Sequence, residues 1–84
     1  MDKSIYTREY AIFLQLLRRT RETRGITQNE LAEALSTTQT FISKAERGER
    51  RLDVVELRLW CQALSVELDQ FAGQLVSAYR QTGV

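Results

Sequence analysis

Apolar residues recur along this chain at steps of three and four, and nowhere do Val or Ile alternate with polar residues over the length of a strand. The pattern predicts an all-helical chain. From Tyr10 the apolar positions Phe13, Leu14 and Leu17 keep helical spacing up to Gly25, a good terminator, and Thr7 is placed to cap the start. This gives a first helix over about residues 8 to 24. Thr27 followed by Glu30 forms the capping pair T-x-x-E, with Leu31, Ala32 and Leu35 on one face, so a second helix covers about 28 to 35. Thr37 or Thr38 caps a third, which runs to about Arg47 and stops at Gly48. Asp53 with Glu56 opens a fourth, whose apolar face is Leu57, Trp60, Cys61 and Leu64, and Asp69 starts a fifth through Phe71, Leu75, Val76 and Tyr79.

The second and third helices carry the functional signal. Ala32 sits where two helices must nearly touch, and Ser36 to Thr38 interrupts the periodicity before Phe41, Ile42 and Ala45 resume it. Two short helices on so tight a turn bury little by themselves. They can hold the second at a fixed angle for insertion into a DNA major groove, which is the helix-turn-helix arrangement. DNA binding is the leading expectation.

Composition narrows the alternatives. A chain of 84 residues suits one domain with one core. Cys61 is the only cysteine, so no intrachain disulfide and no multi-cysteine metal site can form. Histidine is absent, which removes the commonest general base and zinc ligand, so neither an enzyme nor a bound metal or cofactor is expected. With no signal-peptide pattern and no apolar run near the roughly 18 to 20 residues that span a bilayer, a cytoplasmic protein is expected. Trp60 and Cys61, on an apolar face, read as core. The formal net charge of +1 is unpromising for a DNA binder, but the distribution is uneven: residues 1 to 51 hold ten Lys/Arg against seven Asp/Glu, and residues 52 to 84 two against four. The basic half coincides with the helix-turn-helix.

A set of short motifs goes further. Arg21, Arg24 and Gly25, then Thr27 and Gln28, Leu31 and Ala32, Thr37 to Gln39, Ile42 to Lys44, Glu46 to Gly48 and Leu64 to Val66 together resemble the Xre-type family of helix-turn-helix proteins, which includes the lambdoid phage repressors and Cro proteins. The resemblance covers about residues 10 to 72. It implies an all-α, five-helix, lambda-repressor-like fold in a single domain over 1 to 84, with an N-terminal extension over 1 to 7. The implied function is a sequence-specific regulator of transcription that binds double-stranded DNA, a repressor occluding a promoter. One helix reads only a few base pairs, so a homodimer on half-sites roughly 34 Å apart is expected. Its surface would be the fifth helix, about 69 to 80, through Phe71, Leu75 and Tyr79, with packing back onto the first helix as the competing role. The chain departs from the family at Ser36, where the turn usually has glycine; a non-glycine residue at positive φ costs about 1 kcal/mol.

Specific roles follow for single residues. Gln39 and Thr40 begin the third helix and Lys44 lies one turn on along the same face, which makes them the base readers: an amide pairs with adenine, lysine with guanine O6 or N7, a threonine methyl with a thymine methyl. The resemblance implies that Gln28 bonds a phosphate, and the partial positive charge of a helix N-terminus favours it. Thr38 and Ser43 carry hydroxyls suited either to phosphate oxygens or to capping and solvent. Phe41 either packs in the core or meets a thymine methyl, with packing preferred. Arg47, Arg50 and Arg51 flank Gly48 as phosphate clamps, unless one of them, Arg51 above all, pairs with Asp53 or Glu49. Arg21 and Glu46 match a partly buried ion pair of the phage repressors that ties the first helix to the end of the third. The main rival is a protein-interaction module, such as an antitoxin subunit with a protein partner, in which DNA contact is secondary or absent.

Overall fold

The computed structural model describes residues 7–84, so all of the expected N-terminal extension except Thr7 lies outside the described residues. Helices α1 (Arg8–Thr23), α2 (Gln28–Ala34), α3 (Gln39–Glu46), α4 (Val54–Ala63) and α5 (Leu68–Thr82) follow in order, with no strand among the described residues. Four of them begin on the caps the sequence predicts. Thr7, Thr27, Thr38 and Asp53 accept from the backbone N–H groups of Tyr10, Glu30, Phe41 and Glu56, and in α2 and α4 Glu30 and Glu56 complete the box by accepting from the cap's own N–H. Each such cap satisfies a donor that the helix leaves orphaned, worth typically about 1 kcal/mol.

The fifth start differs from expectation. The cap residue is Glu67, with no side-chain cap bond, and Asp69 lies inside the first turn, where its carboxylate accepts from the adjacent Gln70 N–H at 2.9 Å. An acidic residue there still favours the positive end of the helix.

The helices also stop in a common way. After each of α1 to α4 a left-handed residue reverses the chain: Gly25 at φ 70°, Ser36 at 55°, Gly48 at 81° and Ser65 at 59°. In every case two backbone bonds close the turn, as where Thr37 N–H donates to Ala32 O at 2.9 Å and Ser36 N–H to Glu33 O at 3.1 Å. This is the Schellman arrangement, which uses carbonyls that would otherwise lack partners. Ser36 therefore takes the positive φ that its place in the turn demands. Ser65 has no local mark in the sequence beyond the recurrence of Ala34-Leu35-Ser36 as Ala63-Leu64-Ser65.

Tyr10, Phe13, Leu16 and Leu17 of α1 meet Leu31 and Ala32 of α2, Ile42 and Ala45 of α3, Trp60 and Cys61 of α4, Leu64, and Phe71 of α5 in one core. Leu17, Leu31 and Ile42 are fully enclosed, each worth about 1.5 to 3 kcal/mol of burial. Cys61 is likewise buried as a free thiol, and burial pushes its pKa up. Antiparallel to α1, α5 is tied to it where Tyr79 Oη donates to Glu9 O at 3.2 Å and Arg8 Nη2 to Thr82 O at 3.0 Å.

Within the single chain, the residues expected on a dimer surface take the competing role of packing toward α1 and the core. Phe71 is only 1 % exposed and meets Phe13 edge-on at 5.9 Å, Leu75 packs against the core, and Tyr79 bonds back to α1. Inward packing satisfies more apolar area than a solvent-facing stripe could. Among the described residues, the large apolar side chains left open are instead Val54, Val55 and Leu59 on α4, with Val76 on α5 and Val84 at the end.

Candidate nucleic-acid interface

The joint between α2 and α3 is only Leu35 to Thr38, and the two helices pack against each other through Leu31, Ala32, Ile42 and Ala45. Burying those four turns the other side of α3 outward. Gln39, Thr40 and Lys44 are all exposed there, and Ser43 is half-buried. The three expected base readers thus share one open face, one helical turn in length.

What holds α3 at its angle is polar. Arg21 of α1 and Glu46 of α3 face each other with side chains 9 % and 3 % exposed. Arg21 Nε donates to Glu46 Oε2 at 2.6 Å and Nη2 to Oε1 at 3.1 Å, a two-pronged pair, while Nη1 donates to Ile26 O at 2.8 Å. The Glu46 hydrogen bond holds the guanidinium above its already high ordinary pKa, against the opposing effect of burial. With every charged prong satisfied, both charges are tolerated in a dry place, and removing either would strand the other.

The pair extends outward. Gln28 Nε2 donates to Glu46 Oε1 at 2.9 Å, and Gln39 Nε2 donates to Gln28 Oε1 at 2.6 Å. A chain of hydrogen bonds therefore links the buried arginine to the first exposed residue of α3. In the sequence these partners stand 18 and 11 positions apart, and no local spacing joins them.

The remaining expected contacts are held within the protein. Thr38 Oγ1 caps α3 by accepting from Phe41 N–H at 3.1 Å, leaving its own proton to donate. Ser43 Oγ accepts from Arg47 Nη1, and Arg47 Nε donates to Glu49 Oε2 at 2.8 Å. That hydrogen bond lowers the Glu49 carboxyl below its ordinary pKa. Arg50 Nη2 donates to Glu56 Oε2 at 2.6 Å, and its guanidinium lies 5.1 Å above the Phe41 ring. Phe41 itself packs toward Trp60 at 6.4 Å, the core role preferred from the sequence. The base that pairs with Glu49 is thus Arg47, and Arg51 lies 4.4 Å over the Tyr10 ring. The Arg50 partner is hidden in the sequence because Glu56 already has a role there in the α4 cap, which it also serves.

Among the described residues no helix is long and apolar enough to cross a membrane, and no group of three His, Cys, Asp or Glu side chains could hold a metal ion.

A tight two-helix unit with an exposed polar row on its second helix, closed by three further helices, defines a helix-turn-helix domain. The helix-turn-helix family model matches residues 17–71, and the chain belongs to that family, as its Xre type. Its fold is similar to that of an XRE-family like protein from Pseudomonas syringae pv. tomato str. DC3000, with 38% identity, a TM-score of 0.81, and coverage of 90% of this chain and 93% of that one. It is also similar to a point mutant of the restriction-modification controller protein C.Esp1396I, at 28% identity and a TM-score of 0.77, covering 84% of this chain and 90% of that one. A search of curated proteins finds no match. Membership and these structures support a DNA-binding regulator of transcription.

Proposed function

We propose that the protein is a sequence-specific, double-stranded DNA-binding repressor that inserts α3 into the major groove and acts as a homodimer in the cytoplasm. The observation that carries this reading is the open row Gln39, Thr40 and Lys44 on a helix clamped by the buried Arg21–Glu46 pair. Those three side chains have the donors, acceptors and methyl group that base edges can answer. Gln28, Thr38, Ser43, Arg47 and Arg50 border the row and supply phosphate contacts once Arg47 and Arg50 exchange carboxylates for phosphate oxygens. The similarity to a controller protein and to an XRE-family like protein supports regulation, and the reading requires no catalytic step and no cofactor.

Pairing follows from the short length of α3, which reads too few base pairs alone. The two copies meet through the exposed α4 residues Val54, Val55 and Leu59, since Phe71, Leu75 and Tyr79 of α5 are engaged internally. Equilibrium sedimentation of wild-type protein and Val55→Glu checks this: a dimer that the substitution dissociates is expected.

The decisive experiment is selection of bound duplexes from a random library, repeated with Gln39→Ala and Lys44→Ala. Each variant should lose preference at its own position of a two-fold symmetric consensus, by about 1 to 3 kcal/mol per base pair. A consensus unchanged in both would refute the assignment of readers. Absence of salt-dependent binding to any duplex would refute DNA binding and favour a protein-interaction module.

A further inference from the structure

We infer that Glu46, which is buried and cannot reach DNA itself, is a specificity-determining positioning residue that selects adenine over guanine at the base read by Gln39. The inference rests on the proposed entry of α3 into the major groove and deepens it. An ionised carboxylate accepts hydrogen bonds and cannot donate them. The Gln28 atom 2.9 Å from Glu46 Oε1 must therefore be the amide nitrogen, which turns Gln28 Oε1 away from Glu46. That oxygen is in turn an acceptor only, so the Gln39 atom 2.6 Å from it must be a nitrogen. Two amides, each of which could flip in isolation, thus take a single polarity from one charge.

The consequence lies at the open end. Gln39 is exposed and keeps one N–H and its Oε1 uncommitted. One donor beside one acceptor complements adenine, which shows N7 as acceptor and the N6 amino group as donor in the major groove. With its amide reversed, Gln39 would turn both N–H groups toward the groove and suit guanine, whose N7 and O6 are both acceptors. Arg21 keeps the relay in place: its two bonds to Glu46 fix the carboxylate in position, so that the oxygen facing Gln28 stays where it is.

The test first locates the base pair whose preference disappears in Gln39→Ala, then measures equilibrium binding to duplexes carrying each of the four pairs there. Wild-type protein, Glu46→Gln and Gln28→Met are compared, with circular dichroism to establish folding. Wild-type protein should prefer adenine to guanine at least about fivefold, and both variants, though weaker on every duplex because Glu46 holds α3 and Gln28 borders the phosphates, should bring the two within about twofold while leaving the preference ratios at the other positions unchanged. A role for Glu46 confined to holding α3 would shrink the preference ratios at every position alike, and that result overturns the inference. Gln28→Met cuts the relay but leaves the Arg21–Glu46 pair intact, so it decides the matter if Glu46→Gln fails to fold. Retained adenine preference in a folded variant overturns the inference, as does a wild-type protein that prefers another base there. If Gln39→Ala changes no position, the base-reading assignment itself has failed, which is a distinct result.

Discussion

Ser36 and Ser65 occupy the left-handed position that closes α2 and α4, at φ 55° and 59°. A side chain there costs about 1 kcal/mol, while glycine would add about 0.5 to 1 kcal/mol of unfolded-chain freedom. The two effects nearly cancel. Ser36→Gly and Ser65→Gly should therefore leave the melting temperature unchanged or slightly raised, and a clear drop in either would contradict the turn geometry. Gly48 behaves differently, since at φ 81° a Cβ would also come within 2.9 Å of Leu14 Cδ1. Gly48→Ala should destabilise by about 1 to 2 kcal/mol, read from urea unfolding by the fluorescence of the lone Trp60. The contrast shows what a sequence discloses at this scale. A glycine at a helix end announces its conformation, and the family pattern drew attention to Ser36, but a serine that performs the same task carries no local mark. Ser65 could be found only by noticing that Ala-Leu-Ser occurs twice.

At the scale of elements, helix starts were legible because Thr27 with Glu30 and Asp53 with Glu56 use side chains that bond within four residues of themselves. Contacts between elements were far less so. Periodicity marks Phe71, Leu75 and Tyr79 as one apolar stripe without saying whether α1 or another molecule covers it; in the folded chain Phe71 and Leu75 pack on the core and Tyr79 bonds to α1. The clamp between α1 and α3 joins residues 25 apart in sequence, and only the resemblance suggested it. Its energetics give a sharp expectation. Arg21→Met strands Glu46 in a dry site and should cost about 3 to 5 kcal/mol, whereas adding Glu46→Leu should recover much of that loss, because apolar replacement of a buried pair is often neutral. Denaturant midpoints of the single and double variants check this. Recovery of stability without recovery of DNA binding would show that the pair serves to orient α3.

Over the whole molecule, a net charge of +1 understates what α3 and the following loop can offer DNA, because Glu49 and Glu56 occupy Arg47 and Arg50 in the free protein. Glu49→Gln should raise affinity for all duplexes alike, an effect that salt weakens, since it leaves Arg47 unopposed before a phosphate. Titration links the two ends of the fold in a different way. Burial raises the pKa of Cys61 above its ordinary value of 9.0, and burial together with the nearby Glu9 charge raises that of Tyr79 above 10.0. Both groups are neutral when protonated, so above about pH 9 the unfolded chain gives up protons that the folded chain retains. The unfolded state then binds fewer protons, and stability must fall as pH rises; below that range the two groups contribute no slope. Urea midpoints between pH 7 and 10.5 should decline in the wild-type protein, and Cys61→Ala combined with Tyr79→Phe should flatten that decline, whatever the variant loses at neutral pH through the cavity it creates. An undiminished alkaline slope in the double variant would mean that other groups, not the packed faces of α4 and α5, govern the loss.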